Sequence, residues 1–323
     1  MNIMRTVVPA RRLLHLSILL AKDRPPYSRT ANGRSRTKQA YLSTAIMPHQ
    51  PPDYESQEYW ENRFKTETHF EWLGDGHGTI IPALRAHLLS QPKTNNLPPL
   101  CLHIGAGVST LHNDILQEYH SVFKKTFDKP VIVNTDFASE AVKRGNQVEQ
   151  SRGPEVSWEQ ADLLQWKDML ALKEKVLSRE GRKFDLVVDK STTDAVTCGE
   201  NMTFTKKISD GSPKDTHPLI DHEVAQYDAD TVCIHPVEVL ALHLASLVEP
   251  GGVWLSLSYS ADRFMFFEEG HEEEGPMTRL FWKMERVVTV GARPGGGGPG
   301  KHVPDVYHYL YALRRTDAVV AME

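Results

Sequence analysis

The sequence predicts an α/β protein built on a mostly parallel sheet with helices on both faces. Three observations carry that expectation. Short apolar runs alternate with helical patterns, the runs end at Gly or Asp, and the last two runs meet across a Gly-rich loop with no helix between them. Residues 100–104 open the series and stop at Gly105. Residues 131–133 end near Asp136, 156–158 precede Asp162, and 184–188 end at Asp189. In 237–248 the apolar Val237, Leu240, Ala241, Leu244 and Val248 recur at helical spacing. Residues 252–259 form a further strand, entered through the turn Glu249, Pro250, Gly251. The end differs: 287–290 and 306–313 read as a closing antiparallel hairpin.

Composition bounds the rest. The 323 residues are 40% hydrophobic and 24% charged, enough apolar matter for a sizeable core. The longest apolar window, 13–20, falls short of the ~18 residues a membrane span needs. Cys101, Cys198 and Cys233 stand far apart with no CxxC, which excludes a disulfide scaffold and a zinc ribbon. The net charge of −5 hides an asymmetry: residues 1–46 hold nine Lys or Arg and one acid, leaving −13 on 47–323. An Arg-rich, acid-poor, hydroxyl-bearing leader has the composition of a mitochondrial presequence. The competing readings are a disordered extension, or translation starting at Met47, which would leave the protein in the cytoplasm. We therefore divide the chain into a basic leader, 1–46, and one domain, 47–323. The acidic body argues against nucleic acid and suits a basic partner.

Gly105, Ala106 and Gly107, between a buried strand and a helix, form a nucleotide-loop signal. Glycine lets the backbone turn sharply and approach a ligand without a Cβ. A plain strand–helix turn is the alternative. The dinucleotide fingerprint needs a third glycine, and Thr110 stands there, which counts against NAD. Asp136 is the residue type that binds a ribose diol.

Taken together, Leu102–His103–Ile104–Gly105–Ala106–Gly107, Asn134–Thr135–Asp136–Phe137, Gln160–Ala161–Asp162–Leu163, the segment 184–195 and the segment 247–253 resemble a class I S-adenosylmethionine-dependent methyltransferase. The resemblance implies a Rossmann-like, seven-stranded sheet with a C-terminal antiparallel hairpin, S-adenosyl-L-methionine as cofactor, and no metal. Tyr59 to Phe64, Phe70–Glu71–Trp72, 189–195 and 307–311 resemble the group that methylates lysine on translation elongation factor 1-alpha. A mitochondrial relative of that group acts on citrate synthase. The implied partner is a protein with an exposed lysine. The same resemblance puts Trp60, Phe64 and Trp72 against the cofactor with Gly105 and Gly107 under it. Asp136 would hold the ribose beside Phe137, Asp162 the adenine amino group next to Leu163, and Lys190 would close the site. Three residues depart from the pattern: His103 for an acid, Phe64 for a Tyr, and Ser191 for a Gly that could narrow the substrate channel.

Methyl transfer from a sulfonium needs alignment, and a lysine amine must first lose a proton. Asp189 is the expected catalytic carboxylate, orienting that amine; a strand-end Asp capping the next turn is the alternative. Trp60, Phe64 and Trp72 could face the sulfonium through their π-density or simply be core. The acidic run 268–274 could attract a Lys-rich surface or be a solvated loop. Residues 200–234 look like an inserted lid over the crevice, and 293–304 a flexible Gly-rich loop. His217, Asp221, His222, Glu223 and His235 match no metal-ligand spacing. A non-catalytic scaffold and a small-molecule methyltransferase are the rival functions.

Overall fold

Two helices lead into the sheet. α1 (Gln57–Thr66) starts at Ser56, whose hydroxyl accepts the Tyr59 N–H at 3.3 Å, and it turns Trp60 and Phe64 inward at i, i+4 spacing. α2 (Ile80–Ser90) buries Ile80, Ile81, Leu84 and Leu88 on one face. The structure is a computed structural model that describes residues 52–91, 97–205, 215–226, 231–267, 278–292 and 305–320. The basic leader, the acidic run 268–274 and the Gly-rich loop 293–304 lie outside the described residues.

The alternating series then unfolds as expected. β1 (Cys101–Ile104), α3 (Leu111–Phe123), β2 (Ile132–Asp136), α4 (Ser139–Glu149), β3 (Val156–Gln160), α5 (Trp166–Glu180) and β4 (Phe184–Lys190) follow in order. A short α6 (Thr192–Val196) leads to the segment β5 (Met202–Thr205), α7 (Pro218–Gln226) and β6 (Thr231–Ile234). α8 (Pro236–Leu247), β7 (Val248–Ser258), α9 (Thr278–Phe281), β8 (Trp282–Ala292) and β9 (Val306–Arg315) complete the domain.

The main sheet runs β3-β2-β1-β4-β7-β9-β8. The pairings from β3 to β7 are parallel, and β9 pairs antiparallel with both β7 and β8. Successive residues feed opposite cores, as strands covered on both sides require. Leu102, Ile104, Val133, Val187 and Trp254 face α5 and α8. Cys101, Ile132, Leu186, Val188 and Leu255 face α2 and α3. α8 is buried around its whole circumference, begins with Pro236 and is capped by His235. The strand expected from residue 252 begins earlier, at Val248. A bulge opposite Phe184 and Leu186 carries the chain through Glu249, Pro250 and Gly251 without ending the ladder.

The described parts of the expected lid are fastened to the domain. β5 and β6 pair antiparallel, and Met202, Phe204, Val232 and Ile234 lean on the core. In α7, Ile220 and Val224 are buried in that core. His217, just before α7, is fully buried: its Nδ1 accepts the Leu219 N–H at 3.1 Å, so its Nε2–H donates to Ser246 Oγ at 3.0 Å. Burial pushes His217 down to about 3, keeping the ring neutral beside Trp166 and His243.

Candidate active site

The parallel strands end along one edge of the sheet. β1 continues to β2 on one side while β4 continues to β7 on the other, so a crevice opens beyond the ends of β1 and β4. There Gly105 (φ 56°) and Gly107 (φ 54°) hold left-handed conformations. A Cβ on Gly105 would collide with Thr192, whose hydroxyl donates to the Ile104 carbonyl at 2.9 Å. A Cβ on Gly107 would sit 3.1 Å from the Phe64 ring.

Asp136, the last residue of β2, ties this loop to the next strand. Its Oδ2 accepts the Gly107 N–H and its Oδ1 the Ala138 N–H, both at 2.8 Å. Burial pushes its carboxyl up to about 6, against the pull of those two N–H bonds. Each oxygen keeps a further lone pair, the capacity a vicinal diol requires. Phe137 follows, its carbonyl accepting from the Gln57 and Gln160 side chains. Beyond β3, Asp162 is half-buried, and burial raises its carboxyl. Its Oδ1 accepts the Leu164 N–H at 3.0 Å. Leu163 is buried, and its carbonyl accepts the Nδ1–H of His243 at 2.8 Å.

The aromatic residues gather beside this loop. Trp60, Phe64, Trp72 and Phe137 form one cluster with Ala138 and Ala141. The Trp60 and Phe64 rings lie 5.4 Å apart, and the Trp60 indole N–H donates to the Tyr54 carbonyl at 2.8 Å. The cluster already faces a cation: the Arg63 guanidinium lies 4.1 Å from the Phe70 centroid, 5.4 Å from Trp60 and 6.0 Å from Trp72.

Lys190, at the end of β4, forms an ion pair with Glu71 and donates to the Gly74 carbonyl at 2.8 Å. Glu71 in turn accepts the Thr110 N–H at 2.9 Å and the Ser109 hydroxyl at 2.8 Å, just before α3. Burial works to raise the Glu71 carboxyl, but the bonds from Lys190, Thr110 and Ser109 outweigh it and hold the group low. Sequence reasoning quoted Glu71 only as part of an aromatic segment and gave it no role.

Asp189 points into the protein. Its Oδ1 accepts the Thr192 N–H at 2.8 Å and the Thr193 N–H at 3.3 Å, and its Oδ2 accepts the Ser256 hydroxyl at 2.6 Å. It is 0% exposed, and burial pushes it up to about 6. This is the geometry of the alternative reading, a strand-end Asp capping the next turn, and the carboxylate that was expected to orient an amine is engaged on both oxygens. Ser191 adopts a left-handed conformation (φ 67°, ψ 7°), which explains why a glycine suits its position. Its hydroxyl donates to Asp194 Oδ2 at 2.7 Å, so it faces inward, toward a buried network. There Asp194 pairs with Arg263 at 2.8 Å and accepts the Ser258 hydroxyl. His103 is buried beneath the loop; its Nδ1–H donates to Asn134 Oδ1 at 2.8 Å, and burial pushes it down to about 3. It is neutral there and does not replace an acid in charge.

The strand order, with a glycine loop after β1 and an acid ending β2, defines the Rossmann-like fold of the class I S-adenosylmethionine-dependent methyltransferases. No protein-family model matches the chain. Over 288 residues it is 29% identical to the methyltransferase srdJ of Neurospora crassa, covering 88% of this chain and 93% of that protein. Among solved structures it is similar to the N-methyltransferase NodS from Bradyrhizobium japonicum WM9 in complex with S-adenosyl-L-homocysteine, at 12% identity and a TM-score of 0.41, over 79% of this chain and 98% of that one. It is also similar to an S-adenosylmethionine-dependent methyltransferase from Anabaena variabilis, at 11% identity and a TM-score of 0.45, over 81% of this chain and 94% of that one.

Proposed function

We propose that this protein is an S-adenosylmethionine-dependent methyltransferase acting on a lysine side chain of a protein. The observation that carries the methyltransferase reading is the joint between the glycine loop and Asp136, with the Gly107 N–H on one carboxylate oxygen. The srdJ relative, matched over 88% of the chain, supports it. The residues fit the cofactor: Asp136 has lone pairs to spare for ribose hydroxyls, Asp162 can accept the adenine amino group, and the glycines let the backbone approach. When bound, the cofactor supplies an electrophilic methyl on a sulfonium. The chain's share is alignment of the two reactants and exclusion of water, the latter served by the apolar cluster around Trp60, Phe64 and Trp72. Asp189 serves as a positioning residue here, holding the Thr192–Thr193 turn through one oxygen and Ser256 through the other.

A protein lysine is supported by the segments that resemble the elongation factor 1-alpha group and by the −13 charge of residues 47–323, which suits a basic surface. The leader's composition supports a mitochondrial destination. The test is transfer of a radiolabelled methyl group into a cell lysate, with translation elongation factor 1-alpha and citrate synthase as first purified substrates. Label in protein, at lysine by mass spectrometry, is the expected result. Label in soluble metabolites would replace the protein substrate with a small molecule, and cofactor binding without any transfer would make the protein a scaffold.

A further inference from the structure

We propose that Tyr259 is the residue on which the methyl acceptor docks, taking the apolar stem and flanking backbone of the target lysine, and that the buried Asp194–Arg263 pair is the mount that aims it. The assignment rests on the protein-lysine reading above and adds to it the place and chemistry of acceptor recognition.

The sheet edge divides in two. Asp136 and Asp162, expected at the ribose and the adenine, stand at the end of β2 and beyond the end of β3, so the stretch beyond β4 and β7 is left for the acceptor. β7 ends there at Ser258, and Tyr259 follows it, 55% exposed. Its backbone is fixed. The Tyr259 N–H donates to Asp194 Oδ2 at 3.3 Å, and the hydroxyl of Ser258 donates to Asp194 Oδ1. The carbonyl of Ser260 accepts the Tyr311 hydroxyl at 2.7 Å. Arg263 closes the mount: its Nε and Nη2 donate to Asp194 Oδ1 at 3.0 and 2.8 Å, its Nη1 donates to the Thr197 hydroxyl, and its guanidinium lies 5.6 Å from the Tyr259 centroid.

An apolar pair of the same volume would hold the fold as well, so a buried charge pair here calls for a reason beyond stability. Bonded to both the turn after β4 and the exit of β7, it allows one geometry of the two. An exposed ring on a base already rigid offers contact area with little further loss of freedom on binding. Arg263 also sets what the ring accepts. Its cation already occupies the π-density, so a second cation gains little, while methylenes and peptide planes still pack there. A lysine arriving as the neutral amine that the transfer requires meets that condition. The rim carries charge for a basic surface around it: Asp262 is exposed, and exposed Glu55 packs against Gly199, just past α6.

Transfer of radiolabelled methyl groups into the soluble protein of a cell lysate, at graded lysate concentrations, tests the assignment with Tyr259→Ala, Arg263→Lys and the double variant. Tyr259→Ala should raise the half-saturating concentration about tenfold or more, a larger effect than on the plateau rate. Its affinity for S-adenosylhomocysteine by calorimetry should stay within about twofold, which also reports that the domain is folded. Arg263→Lys should raise half-saturation when Tyr259 is present and add little in Tyr259→Ala, because a mount has no effect without what it carries. An unchanged half-saturation in Tyr259→Ala would overturn the assignment. Equal losses from Arg263→Lys in both backgrounds would make the pair a structural tie and overturn its positioning role. If the unmodified protein labels no protein at all, the lysine reading itself falls and takes the assignment with it.

Discussion

At the scale of single residues, Ser191 shows two effects pulling in opposite directions. Its left-handed backbone costs about 1–2 kcal/mol for a residue with a Cβ, while its hydroxyl gives a charge-assisted bond to Asp194 at 2.7 Å. Ser191→Gly removes both and should leave stability within about 1 kcal/mol of the parent. Ser191→Ala keeps the strain and loses the bond, so it should cost about 1–2 kcal/mol. Urea unfolding of the two variants checks both values; if the hydroxyl contributes nothing, Ser191→Ala matches the parent and Ser191→Gly exceeds it by about 1–2 kcal/mol. Legibility in the sequence follows the same local logic. Gly105, Gly107 and Asp136 could be read because each lies at the end of an apolar run. Glu71 and Arg263 could not, since their partners Lys190 and Asp194 lie 119 and 69 residues away and no period links them. Asp189 could be read as a strand-end acid, but which way its carboxylate turns depends on Ser256, 67 residues further on.

At the scale of elements, periodicity located the strands and α8 because burial on every side leaves an apolar record. It missed where β7 begins, since Glu249, Pro250 and Gly251 spell a turn while the ladder continues around them as a bulge. The segment 200–234 reads in the sequence as an inserted lid over the crevice. The polar composition hid two core residues, Ile220 and Val224, and a histidine that anchors α7 to α8. His217→Ala should therefore destabilise the domain by about 2–3 kcal/mol, through the lost packing on Trp166 and the unpaired Ser246 hydroxyl. The denaturation midpoint should fall while the affinity for S-adenosylhomocysteine stays unchanged. A drop in affinity without a drop in stability would place this segment in the ligand crevice.

At the scale of the whole molecule, two carboxyls share one edge of the sheet and one direction of shift. Asp136 and Asp189 are pushed from 3.8 up to about 6 by burial. Each binds its proton more tightly when folded, so its stabilising contribution is full below about 3.8 and is lost as pH rises through about 6. Binding runs the other way. Ribose hydroxyls donate best to an ionised Asp136, so affinity for S-adenosylhomocysteine should fall about tenfold between pH 7 and pH 5. Calorimetry across that range checks it, and Asp136→Asn should bind weakly with a flat profile. A further consequence follows from β9 lying between β7 and β8. A ribosome delivers strands in order, so both neighbours emerge before the strand that will join them. Until residues 306–315 leave the exit tunnel, the nascent chain carries an unfinished sheet edge and a detached β8, both open to pairing with other chains. A premature stop just before Val306 would thus remove the seam that holds β8 to the domain, and its product would be a substrate for chaperones and proteases.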